Sequence, residues 1–88
     1  MIHSAEVTVT NRSGLHARPA AELARLAAGL SSNITIRSGE KTVNAASVLA
    51  LMTAAVKEGA TIVVESDGEN AESDLATIVT AIETGLGE

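Results

Sequence analysis

The pattern of hydrophobic and polar positions divides the first part of the chain into a strand and a helix. Over residues 2–10 apolar residues alternate with polar ones, the two-residue period of a strand with one buried face. Over residues 17–28 the apolar residues recur at helical spacing, and Gly29 follows as the expected C-cap. A polar turn at residues 11–14 joins the two elements, and Gly14 within it is expected to adopt a positive φ.

Alternation, turn residues, β-branched residues and helical spacing mark the elements in the rest of the chain. They predict a hairpin of strands at residues 34–37 and 41–44, a short helix at about 47–55, a strand at 60–65 and a last helix at about 70–84. The element order βαββαβα suits a four-stranded antiparallel sheet with three helices on one face, an α+β fold. Residues 1–88 are expected to form a single domain, because a chain of this length can bury one modest core.

The start of the first helix is open at this stage. Pro19 is tolerated in a first helical turn, because the amides there have no partner within the helix. A residue that precedes proline, however, disfavours the helical region, which would make Arg18 the cap and Pro19 the first helical residue.

Composition and charge exclude several classes of function. The chain has no Phe, Trp, Tyr or Cys, so aliphatic side chains and alanines must fill the core, and neither disulfides nor thiolate chemistry is available. The net charge of −5, without a basic patch or aromatic stacking platforms, argues against nucleic acid as a partner. Neither a signal-like N-terminus nor a segment of membrane-spanning length is present, which predicts a cytoplasmic protein without membrane insertion.

The candidate chemistry lies at the junction of the first strand and the first helix. His16 is placed on or beside the first helical turn, where free backbone N–H groups and the helix dipole favour an anion. Arg18 adds a fixed positive charge suited to phosphate oxygens. A nucleophilic imidazole in this setting suits a phosphohistidine, and the plainer alternative is a capping or surface histidine. No metal site is expected, because cysteine is absent and the other histidine, His3, lies in the N-terminal tail.

The stretch that surrounds this histidine reads Gly14-Leu15-His16-Ala17-Arg18-Pro19-Ala20. It resembles the active-site signature of the HPr family, the histidine-containing phosphocarriers of the bacterial phosphoenolpyruvate:sugar phosphotransferase system. Residues 44–52 and 85–88 match two further stretches of the family, and the similarity covers nearly all of the chain. The resemblance implies the HPr-like open-faced β-sandwich, in which the first helix starts around His16.

The resemblance also implies roles for individual residues. His16 would accept a phosphoryl group on Nδ1 from phosphorylated Enzyme I and pass it to enzyme IIA domains for sugar uptake, with Arg18 stabilising the phosphoryl oxygens. Pro19 would fix the entry of the helix, Ala17 would be accessory, and Ser13 would be either an accessory phosphate donor or a plain turn serine. Such a protein is a phosphoryl carrier rather than a stand-alone enzyme, needs no cofactor, and is expected to be a monomer.

A second landmark of the family falls on Ser47. In many relatives a dedicated HPr kinase/phosphorylase modifies this serine, and the modified protein binds a catabolite-control transcription factor. The structural alternative is a helix N-cap, and the two roles are compatible. The basic residue that often precedes the serine in the family is Ala46 here, which puts recognition by the kinase in doubt. Val48, Leu49 and Met52 follow it as a candidate exposed patch for partners.

Three other functions compete with the general sugar carrier. A paralogue in a dedicated relay, such as nitrogen-linked phosphotransfer or a dihydroxyacetone kinase, would have the same residues. A regulator that binds a transcription factor when Ser47 is phosphorylated ranks lower, because a carrier that had lost phosphotransfer would be expected to lose His16. A purely structural domain is disfavoured by the intact context of His16.

Overall fold

The computed structural model describes all 88 residues of the chain. Its elements are β1 (Ile2–Thr8), α1 (Ala17–Ala28), β2 (Asn33–Ser38), β3 (Lys41–Asn44), α2 (Val48–Thr53), β4 (Thr61–Asp67) and α3 (Ala71–Glu83). The predicted order βαββαβα is confirmed, and each of the seven predicted elements is present.

The four strands form one antiparallel sheet in the order β1-β4-β2-β3. Strand β4 lies between β1 and β2, so that Ile62 pairs with Val7 and Val64 pairs with Ile36. Buried and exposed positions alternate along β4, as expected when one face of a sheet meets the core and the other meets solvent. The three helices cover the buried face, which gives the α+β arrangement predicted from the element order.

The hydrophobic core between the sheet and the helices is built from aliphatic side chains, and Ser66 of β4 is buried beside them. The largest fully buried side chains of this core come from every layer: Leu23, Ile36, Leu51, Ile62, Ile78 and Ile82. Each of them contributes about 1.5–3 kcal/mol through removal from water. Small alanines of α1, among them Ala20 and Ala24, fill the space closest to the neighbouring elements.

The ends of several elements differ from the sequence prediction. Strand β1 ends at Thr8 rather than at residue 10, although the N–H of Val9 still donates to the carbonyl of Ala60 at 2.9 Å. Strand β4 runs on to Asp67, which was predicted to turn, because Asp67 has a pairing partner in both neighbouring strands. Helix α2 is shorter than predicted at its C-terminal end, where Ala55 adopts a φ of 54° that a helix does not allow.

The first helix begins where the family resemblance implied. His16 is the N-cap and Ala17 is the first helical residue, so the alternative with Arg18 as the cap is wrong. Pro19 occupies the third helical position, where its missing N–H costs no hydrogen bond. Gly29 closes the helix as predicted, but with a φ of −84° rather than in the left-handed conformation usual for a glycine cap.

Candidate functional site

Backbone hydrogen bonds of residues 14 and 15 fix the loop that carries the candidate site. Gly14 adopts a φ of 65°, as predicted, and its N–H donates to the Asn11 carbonyl at 2.9 Å. The next N–H, that of Leu15, donates to the Val56 carbonyl at 3.0 Å, and the Leu15 side chain is buried in the core. Residues 14 and 15 therefore anchor the loop, and the residue that follows is held at the surface.

His16 stands at the positive end of helix α1. Its carbonyl accepts the first helical hydrogen bond, from Ala20 N–H at 2.9 Å, and its side chain is 41% exposed. The N–H groups of Ala17 and Arg18 donate to no protein acceptor, and the first turn contains no acidic residue. The helix dipole is therefore uncompensated within the helix, and an anion beside the imidazole would meet free N–H donors.

The arginines near the imidazole differ in whether a carboxylate pairs with them. Arg18 is exposed and has no carboxylate partner, whereas Arg25, farther along α1, is paired with Glu22. The hydrogen bond from Arg25 holds the pKa of the Glu22 carboxyl below its usual value. Arg12 and Ser13, both exposed, line a polar cleft together with His16. Arg12 is therefore the cation that lines a cleft together with His16, and Arg18 is an unpaired, exposed cation two residues farther along the chain.

The end of the chain folds back over the same histidine. Glu88 Oε2 lies 3.1 Å from His16 Nε2, and Glu88 Oε1 accepts a hydrogen bond from Asn11 Nδ2 at 2.9 Å. Asn11 is itself buried, and its Nδ2 also donates to the Gly85 carbonyl at 2.8 Å. The hydrogen bond from Asn11 holds the pKa of Glu88 below its usual value, and the nearby His16 and Arg18 lower it further.

A second, more apolar cleft lies on the other side of His16. Ser13, Leu15, His16 and Met52 are among its lining residues, so helix α2 reaches the site through Met52. On the surface of α2, Val48 is 36% exposed, Leu49 73% and Met52 44%. These three side chains, here named the α2 patch, form an apolar surface that extends from the histidine.

Ser47 is the N-cap of helix α2. Its hydroxyl oxygen accepts a hydrogen bond from Ala50 N–H at 3.2 Å, and the residue is half-buried. The structural role predicted for this serine is therefore present. Ser47 lines neither of the clefts beside His16.

The sequence predicted a site centred on His16, and it did not predict that Glu88 would lie against the same imidazole. His16 and Ser13 line both clefts and Met52 lines the apolar one, whereas the other predicted site residues of α1 line neither: Ala17, Arg18 and Pro19. The side chain of Ser13 makes no hydrogen bond, so the turn is held by the backbone of Gly14 instead. The contacts of Glu88 with residues 11 and 16 were not predicted, since a separation of more than 70 residues leaves no local signal.

Comparisons with known proteins place this arrangement in one class, the histidine phosphocarriers. The family profile described as "PTS HPr component phosphorylation site" matches residues 3–84. Phosphocarrier protein HPr of Mycoplasma capricolum is 43% identical over 79 residues, which are 89% of each chain. Phosphocarrier protein NPr of Shewanella violacea is 40% identical over 83 residues, 94% of this chain and 91% of the relative.

A solved structure agrees with these relatives. The crystal structure of an HPr from Thermoanaerobacter tengcongensis superimposes with a TM-score of 0.92 at 32% identity, covering 98% of this chain and 97% of that one. The chain belongs to the HPr family of the phosphotransferase system. None of its helices combines the length and the apolar character that crossing a lipid bilayer requires.

Proposed function

We propose that the chain is a general phosphocarrier that accepts a phosphoryl group on His16 from phosphorylated Enzyme I and passes it to enzyme IIA domains for sugar uptake. The observation that supports this most is the half-exposed imidazole at the N-terminus of α1, beside N–H groups that have no protein acceptor. A histidine that merely capped the helix would use its ring for that purpose, and His16 makes no side-chain capping bond.

The family resemblance and the exposed imidazole support the following transfer step. The Nδ1 lone pair attacks phosphorus, a P–N bond forms, and the bond between phosphorus and the donor atom breaks with its electron pair leaving on the donor. Phosphoryl transfer depends on positioning and charge neutralisation, which the free N–H groups of Ala17 and Arg18 and the Arg18 guanidinium supply. Ala17 acts through its backbone, Pro19 fixes the helix entry, and Ser13 is an accessory hydroxyl at the cleft. The step uses no cofactor or metal held by the chain.

The α2 patch is the proposed docking surface for both partners. It lies on the same side of the molecule as the apolar cleft that Met52 shares with His16, so one partner can cover the patch and reach the imidazole at once. Apolar side chains exposed as a group are typical of protein interaction sites. Enzyme I and the enzyme IIA domains would occupy this surface in turn.

Ser47 is a proposed regulatory site. A phosphate on its hydroxyl would carry about −2 charges to a position next to Val48 and Leu49. The added charge would weaken apolar docking on the α2 patch, and HPr kinase/phosphorylase and a catabolite-control transcription factor would be the corresponding partners. Ala46 stands where the family often has a basic residue, so this site has less support than His16.

A dedicated relay is the second candidate. The supporting observation is that the NPr relative is nearly as similar as the HPr relative, at 40% against 43% identity. Transfer rates from a sugar-type and a nitrogen-type Enzyme I, compared at equal concentration, distinguish the two functions. A general carrier is expected to prefer the sugar-type donor, and the opposite preference would favour the dedicated relay.

We further propose a cytoplasmic, monomeric protein. Both proposals rest on the family, and the exposed large hydrophobic residues are few: Met1, Ile2 and the three residues of the α2 patch. Light scattering over a range of concentrations checks the oligomeric state. A dimer that persists on dilution would contradict the monomer.

The decisive experiment is phosphorylation with phosphoenolpyruvate, Mg²⁺ and purified Enzyme I, followed by intact-mass analysis before and after acid treatment. One added phosphate that is lost in acid is expected, because a P–N bond is acid-labile. His16→Ala should accept none, and His3→Ala, which removes the only other histidine, should behave like the unaltered protein. Phosphate on His16→Ala at an unchanged rate would overturn the assignment.

The role of Arg18 has a matched test. Arg18→Ala is expected to slow transfer about tenfold, the lower end for loss of one charge-assisted hydrogen bond of about 1.5 kcal/mol. Arg37→Ala removes the same charge from an exposed position of strand β2 and should leave the rate unchanged. Equal effects of the two substitutions would mean that net charge, and not contact with the phosphoryl group, determines the rate.

A further inference from the structure

The last residues of the chain adopt a conformation that is costly by itself. Leu86 is a non-glycine residue with a φ of 52°, in the left-handed region that L-residues rarely adopt. Its side chain is buried in the core, and its N–H donates to the Ala81 carbonyl at 3.0 Å. The turn is thereby anchored to the end of α3, and its consequence is to bring Glu88 onto His16.

The contact determines which ring nitrogen carries the proton. An ionised carboxylate only accepts hydrogen bonds, so the 3.1 Å contact requires that His16 Nε2–H donates to Glu88 Oε2. In a neutral imidazole a proton on Nε2 leaves the lone pair on Nδ1. Asn11 donates to the other oxygen of the same carboxylate, at 2.9 Å, and so fixes its orientation. The Glu88 side chain is 26% exposed, and its contact with His16 lies at the surface.

We infer that Glu88 is a positioning residue, which holds the His16 ring in the Nε2–H tautomer and so presents the Nδ1 lone pair to the phosphoryl donor. This inference rests on the proposed function for its consequence in transfer, but the tautomer itself is a property of the unphosphorylated protein. Asn11 supports the carboxylate from its buried position, and the anchored turn at Leu86 holds it over the ring.

The same contact serves both directions of the transfer. When Nδ1 attacks phosphorus and the P–N bond forms, the ring becomes cationic while Nε2 keeps its proton, and Glu88 lies opposite that proton. When the phosphoryl group moves on, the P–N electron pair returns to Nδ1 as the lone pair and no proton has to be exchanged with solvent. An adjacent carboxylate that orients an imidazole in this way is a recurrent arrangement in histidine catalysis.

The tautomer can be measured directly, with the second histidine as an internal reference. In ¹⁵N-labelled protein at about pH 9, where ordinary histidines are neutral, the ring nitrogen shifts report the protonated nitrogen of each imidazole. His3 makes no side-chain hydrogen bond and gives the ratio of an unconstrained ring. His16 is expected to show a larger Nε2–H fraction than His3 in the unaltered protein.

Three variants test the assignment to Glu88. Glu88→Ala should bring His16 to the ratio of His3, and Glu88→Gln, whose amide oxygen can still accept, should be intermediate. Glu83→Gln removes a carboxylate near the same cleft that makes no contact with His16 and should change nothing. Equal ratios for His16 and His3 in the unaltered protein, or an unchanged ratio in Glu88→Ala, would overturn the inference.

Transfer kinetics give an independent readout. Glu88→Ala should lower kcat for phosphoryl acceptance about fivefold, equivalent to about 1 kcal/mol, with the KM for Enzyme I unchanged. A variant that raised KM alone would indicate a docking role and contradict positioning. Failure of the unaltered protein to accept phosphate would count against the proposed function, while the tautomer measurement would still decide the role of Glu88.

Discussion

Gly14 offers a test of how the backbone holds the site. A methyl group at this position would clash with the backbone of residues 56 and 57, in the connection between α2 and β4. A Cβ at this position would lie 2.0 Å from the Val56 carbonyl oxygen and 2.8 Å from the Lys57 Cα, and both are backbone atoms that no rotamer change can move away. The φ of 65° adds the left-handed penalty of about 1–2 kcal/mol. Separating the segments would also remove the hydrogen bond from Leu15 N–H to Val56, about 1 kcal/mol.

Gly14→Ala is therefore expected to lower the free energy of unfolding by about 3 kcal/mol or more. The matched control is Gly39→Ala, which has nearly the same φ, 60°, but nothing within 4 Å of the added methyl group. The control should lose only the left-handed penalty, about 1–2 kcal/mol. The difference between the variants isolates the steric contact from the backbone conformation.

Urea unfolding followed by far-ultraviolet circular dichroism measures both variants, since the chain has no aromatic residue for fluorescence. At an m-value of about 1.5 kcal/mol/M, a loss of 3 kcal/mol lowers the midpoint by about 2 M. The total stability of a chain of this length is about 4–13 kcal/mol, so Gly14→Ala can leave a marginal protein. Equal midpoints for the two variants would refute the claim that residues 56 and 57 press against the loop.

Three further predictions concern caps, strain and pH. Ser47→Ala should cost about 1 kcal/mol by removing the cap of α2, and Ser47→Asp should restore most of it, as judged by urea midpoints. Ala55→Gly should raise stability by about 0.5–1 kcal/mol, because it relieves the φ of 54°, and a lower midpoint would contradict this reasoning. Because Asn11 and His16 lower the pKa of folded Glu88, its contact stabilises the fold fully above the unfolded value of 4.5 and loses that stability as pH falls through the folded pKa. Glu88→Gln should flatten the pH dependence of the urea midpoint in that window, and an unchanged slope would refute the coupling.

The fold was predictable because strand alternation and helical spacing are both clear in parts of this sequence. Alternation in β1 and helical spacing in α1 reflect one buried face each, and a short chain with this element order has few ways to bury all of them together. The ends of the helices and strands were harder to predict, since they depend on pairing partners elsewhere in the chain. Asp67 is a good turn residue locally, yet it remains in the strand because both neighbouring strands reach that far.

The candidate site likewise contains residues that are adjacent in the sequence and one residue, Glu88, that is distant in the sequence. His16, Arg18 and the free N–H groups belong to one helical turn, so their proximity follows from adjacency in the sequence. Glu88 reaches the imidazole only because Leu86 is anchored in the core and Asn11 is buried beside the turn. Neither condition has a periodic signature, and the positive φ of Leu86 opposes its local preference.

A carrier must present the same atom to a donor and to an acceptor. In this structure some groups hold the imidazole in place, and others around it have no protein partner. The backbone of Gly14 and Leu15 and the carboxylate of Glu88 hold His16 from below and from its Nε2 edge. The free N–H groups of α1 and the Arg18 side chain have no protein partner, which leaves them open to a phosphoryl group at the proposed site. A deeper pocket would bind the phosphoryl group more tightly but would close the path of the second protein, so a shallow site on a rigid loop meets both requirements.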